Sequence, residues 1–326
     1  MRNIQFVVEL GSSNTVIYKM GNGIVLREPS LVAMKTETKE IFEVGAKAKK
    51  MIGKTDANIS IFSPIKNGVI ANESACISML QKFLDKVLDL TISRNVDILF
   101  CVQNGLTDKE LLSYKNVAYA CSINNVSFIN VCRAAALSCG FNAKNPHATI
   151  SLNLGGGSVN MAVVSLGEVI DGYSIGFGGI DMDNAIKEYV MAVYNHNISL
   201  NTAEKLKVEC GSLYRQDTTN LEVSGIDMFS MKPQTEVILA TDVLNAVESY
   251  FINIAKSVEQ LLHLCTPDII ADITANGIVV TGGVANIVGL ESYLSKKLNL
   301  KVFIPDQPEN CVILGGALHL TETNKK

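Results

Sequence analysis

Short apolar runs bounded by glycine, asparagine and serine alternate along this chain with longer stretches whose apolar positions recur every three or four residues. The first pattern predicts strands over Ile4–Leu10, Thr15–Lys19, Ile98–Val102, Thr149–Leu154, Met161–Leu166 and Ile278–Thr281. The second predicts helices. Over Ser74–Leu88 the residues Ile77, Leu80, Leu84 and Val87 share one face, and over Asp183–Tyr194 so do Ile186, Tyr189, Val190 and Val193. The longest helix is expected over Asp242–Leu264, with Thr241 as its N-cap and a stop before Thr266–Pro267. Asn201 followed by Glu204 has capping-box spacing and opens a further helix toward Leu213. The punctuated stretch Asp217–Pro233 predicts a small hairpin. Strands alternating with helices place the chain in the α/β class.

One hexapeptide recurs. ELGSSN at Glu9–Asn14 returns as NLGGGS at Asn153–Ser158, about one domain's length later. Each copy follows an apolar strand and precedes another. The echo predicts two similar lobes, each opening with a strand, a glycine turn and a strand.

Composition narrows the class. With 326 residues the chain is long enough for two lobes. Apolar residues make up 48% and charged residues 18%, which excludes a disordered chain. Net charge is −4 and no basic block occurs, which excludes a nucleic-acid footprint. Ile4–Leu10 is too short for a signal-peptide core, and no apolar run approaches the roughly 18 residues of a membrane span. The eight cysteines form no C-x-x-C pair and sit mostly in apolar segments, so they are expected as reduced, buried hydrophobes of a cytoplasmic protein. The four histidines show no ligand spacing.

The glycine turns carry the candidate chemistry. Glycine has no Cβ, so a turn built on it can bring backbone N–H groups against an anion. One such hairpin alone is an ordinary β-turn. Two at matching positions in two lobes can grip a polyphosphate from both sides, with Gly11, Ser12, Ser13 and Asn14 on one side and Gly155, Gly156, Gly157 and Ser158 on the other. A third pair, Gly282 and Gly283, follows the strand Ile278–Thr281. It either lets a flat ligand lie on bare backbone or simply turns a strand into a helix.

Taken together these segments resemble the MreB branch of the actin, Hsp70 and sugar-kinase superfamily. Glu9–Thr15 and Asn153–Ser158 are similar to its two phosphate loops, Pro64–Ala71 to the connection after its small IB subdomain, and Thr281–Leu290 to its adenosine motif. Ile24–Ala33, Thr202–Lys207 and the run from Cys311 through Gly315 and Gly316 also match, in family order over nearly the whole chain. The resemblance implies an actin-like ATPase fold: two lobes with duplicated ribonuclease H-like cores and a nucleotide cleft between them. It implies subdomain IA at 1–32, 67–138 and 310–326, IB at 33–66, IIA at 139–178 and 240–309, and IIB at 179–239. It places ATP or ADP between the two turns, with Glu204 and Lys207 at the ribose and adenine and Gly282 and Gly283 beside the adenosine. For Glu204 a second reading stands, that it caps its own helix through Asn201; for Lys207 the alternative is a solvated face. Val284 replaces a family glycine and narrows the adenosine site.

Three acidic positions depart from the family pattern. Glu9 and Asn153 stand where the family has two aspartates that hold hydrated Mg²⁺ through water, so metal binding is expected to be weak. Val131 stands where the family carries the glutamate that orients the attacking water, and Asn130 replaces its acidic neighbour. Valine cannot accept a proton; removing such a group costs about 10²–10⁴ in rate. Asn130 and Asn160 are the remaining candidates for holding a water. The expectation is a nucleotide-binding protein that hydrolyses slowly or not at all.

The family forms filaments of paired antiparallel protofilaments on the cytoplasmic membrane. The resemblance therefore implies self-association, other MreB paralogues as partners, and a role in cell shape, helicity or motility. Leu90 and Ile92 form a candidate membrane loop or simply end a buried helix. Two other classes stand beside this one: a non-polymerising regulator of active paralogues, and a plasmid-segregating actin. The chain is expected to be too short for an Hsp70-type chaperone, and it shows no sugar-kinase substrate constellation.

Overall fold

The computed structural model describes residues 3–88 and 95–324. Leu90 and Ile92 lie outside them. Two five-stranded sheets carry the fold. In the first, strand Ile4–Leu10 is central. It pairs antiparallel with Asn14–Lys19, which pairs antiparallel with Gly23–Pro29; on its other side it runs parallel to Val96–Val102, and Asn125–Asn130 follows. In the second, Thr149–Leu154 is central, with Val159–Ser165 and Glu168–Ile175 antiparallel on one side and Ile278–Thr281 and Val302–Phe303 parallel on the other. Strand order and direction are the same in both, so the recurring hexapeptide marks a repeated sheet.

The sequence accounts for the burial of these strands. All six residues of Thr149–Leu154 are buried, as expected for a central strand covered on both faces. The second lobe's core forms around Ile150, Leu152, Val243, Val247 and Phe251, and the first lobe's around Phe6, Val8, Phe83, Phe100 and Tyr114.

A third cluster joins the lobes. Helices Val131–Ser138 and Cys311–Thr323 pack closely together, and residues from both sheets, including Val7 and Val164, close around them. The approach is close because the facing residues are small. A Cβ on Gly315 would sit 1.7 Å from the carbonyl oxygen of Ala134, and one on Gly316 would sit 2.5 Å from Val7 Cγ1.

Smaller sheets flank the lobes. Val32–Lys35, Ile41–Val44 and Ile59–Phe62 form one. The expected hairpin is Asn220–Asp227 paired with Lys232–Leu239, joined by His196–Asn197. Pro233 is tolerated there because its strand is an edge.

Several helix boundaries differ from expectation. The helix expected from Asp183 begins at Gly179, where the carboxylate of Asp181 accepts from Gly178 N–H at 2.8 Å. The long helix is Ala240–His263, so Thr241 lies inside it; Asp242 accepts from Leu239 N–H at 3.0 Å and from the Tyr194 hydroxyl at 2.7 Å. The helix expected to be capped by Asn201 spans Leu200–Cys210 and is capped by Ser199, whose hydroxyl accepts from Thr202 N–H at 3.1 Å. A further helix, Pro267–Asn276, follows where only a stop was expected. All eight cysteines are free, six of them buried. No described helix is long and apolar enough to cross a membrane.

The inter-lobe helix pair makes a direct prediction. Gly315→Ala should lower unfolding free energy by about 2–3 kcal/mol, because backbone must move to admit the methyl group. Denaturant unfolding measures it; a loss below about 0.5 kcal/mol would mean the helices do not meet this closely.

Candidate functional site

Each glycine turn is closed by the same backbone bond. Gly11 N–H donates to Asn14 O at 3.1 Å, and Gly155 N–H donates to Ser158 O at 3.0 Å. The two turns face each other in contact. A Cβ on Gly156 would lie 2.5 Å from Ser13 Cβ, and one on Gly157 would lie 2.3 Å from Ser12 Oγ. The second turn is fixed from behind by the helix Gly179–Tyr194, whose first amides, Gly179 and Ile180, donate to Gly155 O and Gly156 O at 3.0 and 2.8 Å. Such a helix start favours the exposed carbonyls it meets.

The serine hydroxyls are pre-set. Ser12 Oγ accepts from Gly68 N–H at 3.1 Å, Ser13 Oγ from Asn14 Nδ2 at 3.4 Å, and Ser158 Oγ from Asn160 Nδ2 at 3.1 Å. Each leaves its own O–H free to donate. The arrangement is a donor-rich slot suited to an anion.

The cleft holding these turns has a cavity of about 260 Å³. Every residue singled out from the sequence for phosphate, adenosine or metal contact lines it, and so does Val131. It also takes in residues to which the sequence assigned no ligand contact, notably Arg27, Gln103, Asp183 and Glu309. Arg27 is visible only through strand register and Asp183 only through the helix that starts at Gly179. Gln103 Oε1 is buried with no partner.

Glu204 and Lys207 both line the cleft, and each has a partner within the protein. Glu204 does not cap its helix; its carboxylate pairs with Lys49 Nζ at 2.6 Å, bridging the cleft mouth between the two lobes. Both side chains are well exposed, so the pair contributes at most about 1 kcal/mol. Lys207 is not a solvated face. Its Nζ lies 2.6 Å from Asp183 Oδ1 and donates to Gly179 O at 2.6 Å. Burial pushes the Asp183 carboxyl up to about 6 against the pull of Lys207. Val284 lines the cleft beside Gly282 and Gly283, and a Cβ on Gly179 would meet its Cγ2 at 3.0 Å.

Neither Val131 nor its neighbour Asn130 carries a carboxylate. Val131 is the first residue of its helix and is almost fully buried. Asn130 is the helix cap: its Oδ1 accepts from Cys132 and Arg133 N–H at 2.8 and 3.2 Å, and its amide donates to Asn104. That use removes it as a candidate for holding a water. Asn160 Oδ1 accepts from Asn104 N–H at 3.3 Å and from the Ser174 hydroxyl, so it too is committed to the fold.

The expected metal positions offer Mg²⁺ a single carboxylate. Mg²⁺ takes hard oxygen ligands, usually with one or two carboxylates. Asn153 is neutral, and its Oδ1 already accepts from the Thr281 hydroxyl at 3.2 Å. Glu9 is the one carboxylate of the pair. It keeps some opening to the cleft but is ringed by protein, and burial pushes its carboxyl up to about 7 while Arg27 pulls it down. Among the described residues no group of three His, Cys, Asp or Glu could hold an ion.

The chain matches the family profile described as MreB/Mbl protein over residues 3–326. It is 35% identical over 317 residues to the cell shape-determining protein MreB of Pasteurella multocida, covering 95% of this chain and 90% of that one. Its structure is similar to that of MreB5 of Spiroplasma citri. The AMPPNP-bound form superposes with a TM-score of 0.94 at 30% identity, over 100% of this chain and 98% of that one. The ADP-bound form gives 0.93, covering 99% and 98%. The MamK double helical filament shares the fold, with a TM-score of 0.83 at 17% identity over 98% of this chain and 99% of that one.

Two predictions follow from the side chains of the cleft. Lys207→Met should cost about 3 kcal/mol in unfolding free energy, because it strands the Asp183 carboxylate, and adding Asp183→Asn should recover most of that. Equal losses in the single and double variants would show that the pair is not coupled. The second concerns pH. Glu9 holds a proton in the folded chain up to about pH 7, whereas unfolded it loses one near 4.5. Stability should therefore fall as pH rises through that window, by up to about 3 kcal/mol, and Glu9→Gln should flatten the fall in urea midpoints. An unchanged slope in the variant would contradict the assignment.

Proposed function

The chain belongs to the MreB/Mbl family of actin-like cytoskeletal proteins, and from that premise we propose that it is a filament subunit that binds ATP or ADP between its two glycine turns and hydrolyses it slowly or not at all. The observation that carries this is the contact of Gly156 and Gly157 with Ser13 and Ser12 across the cleft. It leaves a slot lined by glycine turns and free hydroxyls, which suits an anion such as a polyphosphate. AMPPNP and ADP in the Spiroplasma citri relative support the same ligand class here.

Weak turnover is supported by Val131. Positioning and electrostatics do most of the work of phosphoryl transfer, so the turns alone can bind a nucleotide without cleaving it. Cleavage also needs a group that orients water, and neither Val131 nor the committed Asn130 and Asn160 provides one. Divalent metal contributes little, since Glu9 lacks a carboxylate partner at Asn153.

The cellular role that goes with this reading is support of cell shape from the cytoplasmic side of the membrane. The subunit would assemble with itself in paired protofilaments and with other MreB paralogues. The filament fold shared with MamK and the shape-determining relative in Pasteurella multocida support that role.

Phosphate release tests the catalytic part. Purified protein should release phosphate at least about 10²-fold more slowly than a relative that keeps the glutamate at the Val131 position. Release at the relative's rate would contradict it. Sedimentation with and without nucleotide tests assembly: pelleting supports the filament subunit, and a chain that binds nucleotide but never pellets supports the regulator.

A further inference from the structure

Arg27 belongs to no phosphate or adenosine motif, yet strand register delivers it to the cleft. Glu9 lies opposite Val16 across the first strand pair, and Val16 lies opposite Arg27 across the next. Directly opposed residues project from the same face of a sheet, so Glu9, Val16 and Arg27 form one row. All three line the cleft. Two strand spacings put the arginine backbone about 10 Å from that of Glu9, with Val16 between them.

Its charge acts on the Glu9 carboxyl, which it pulls down against burial, but closes no salt bridge among the described residues. The guanidinium donates to the neutral Asn310 Oδ1, and among the described residues it makes no ion pair. The neighbouring cations differ. Lys207 is matched by Asp183, and Lys49 by Glu204. A guanidinium that lines the cleft and closes no salt bridge is a ready site for an anion, since it stays charged at all working pH values and can bind phosphate through two parallel N–H bonds.

The same row explains why Mg²⁺ is disfavoured. The family arrangement places two carboxylates around the ion; here one is an amide already engaged with Thr281. The remaining carboxylate, Glu9, shares its row with a fixed positive charge that offsets it and repels a dication. We propose that Arg27 is a phosphate-binding residue standing in for the divalent cation, so that this cleft holds the di- or triphosphate of its nucleotide without Mg²⁺. The inference rests on the nucleotide-binding reading above and assigns the counter-charge within that site.

The test is a titration of fluorescent ADP and ATP into the purified full chain, in Mg²⁺ and in EDTA. The wild-type Kd should differ by less than about threefold between the two buffers. Arg27→Gln should weaken ATP binding at least about tenfold. Arg27→Lys should retain most of the affinity, because the charge remains. Arg27→Gln with Asn153→Asp removes the cation and restores the second carboxylate, so its binding should become Mg²⁺-dependent. A tenfold loss of wild-type affinity in EDTA would overturn the proposal, and so would an Arg27→Gln chain that binds as well as wild type. If Arg27→Gln does not fold, as judged by its melting curve, the wild-type comparison of the two buffers decides alone. No saturable signal from any chain in either buffer would instead remove the nucleotide-binding reading, and this one with it.

Discussion

The molecule depends on two backbone turns meeting with no side chain between them. Gly156 and Gly157 can face Ser13 and Ser12 at contact distance only because they lack a Cβ; a methyl group at either would occupy the space of the opposing serine. That single steric condition sets the width of the cleft. It also brings two ordinary hairpins to one cleft, which the glycines and serines of both turns line together. Cleft width and chemistry are thus one property of the fold.

The lobes can hold that spacing because small residues join them at a second place. Ala134 and Gly315 let two helices approach at backbone distance, and Gly316 lets the second helix reach Val7 of the first sheet. Interiors of this density transmit displacement rather than absorb it. The junction therefore fixes the distance between the sheets, and the sheets fix the distance between the turns. At the cleft mouth the exposed Lys49–Glu204 pair adds a weak bridge, suited to opening and closing rather than to holding the fold.

The repeated hexapeptide makes the duplication legible in one dimension, because the same strand, glycine turn and strand recur about one domain's length apart. All of the turn residues lie where that echo places them in the cleft. The valine at 131, where the resemblance implies a glutamate, is equally legible, because Ala134–Ala136 fix its register. What escapes a linear reading is set by partners distant in sequence. Nothing local shows that Ser199 rather than Asn201 would cap the helix carrying Glu204, or that Glu204 would then turn to Lys49 in the other lobe. Asn130 looks free for water in the sequence because its capping role emerges only once the helix begins at Val131. Arg27 is the largest omission. Its place in the cleft follows from two successive strand registers, one of them broken by a bulge between Ile17 and Tyr18, and no spacing rule along the chain predicts that.

The most direct measurement is an equilibrium titration of fluorescent ADP into the wild-type chain and into Gly157→Val, with both folds checked by circular dichroism. The account predicts saturable binding by the wild type and loss of that binding in the variant, whose side chain would fill the space of Ser12 while leaving the two lobes folded. Equal affinity in the two chains would contradict it, because the ligand would then be held somewhere other than between the turns.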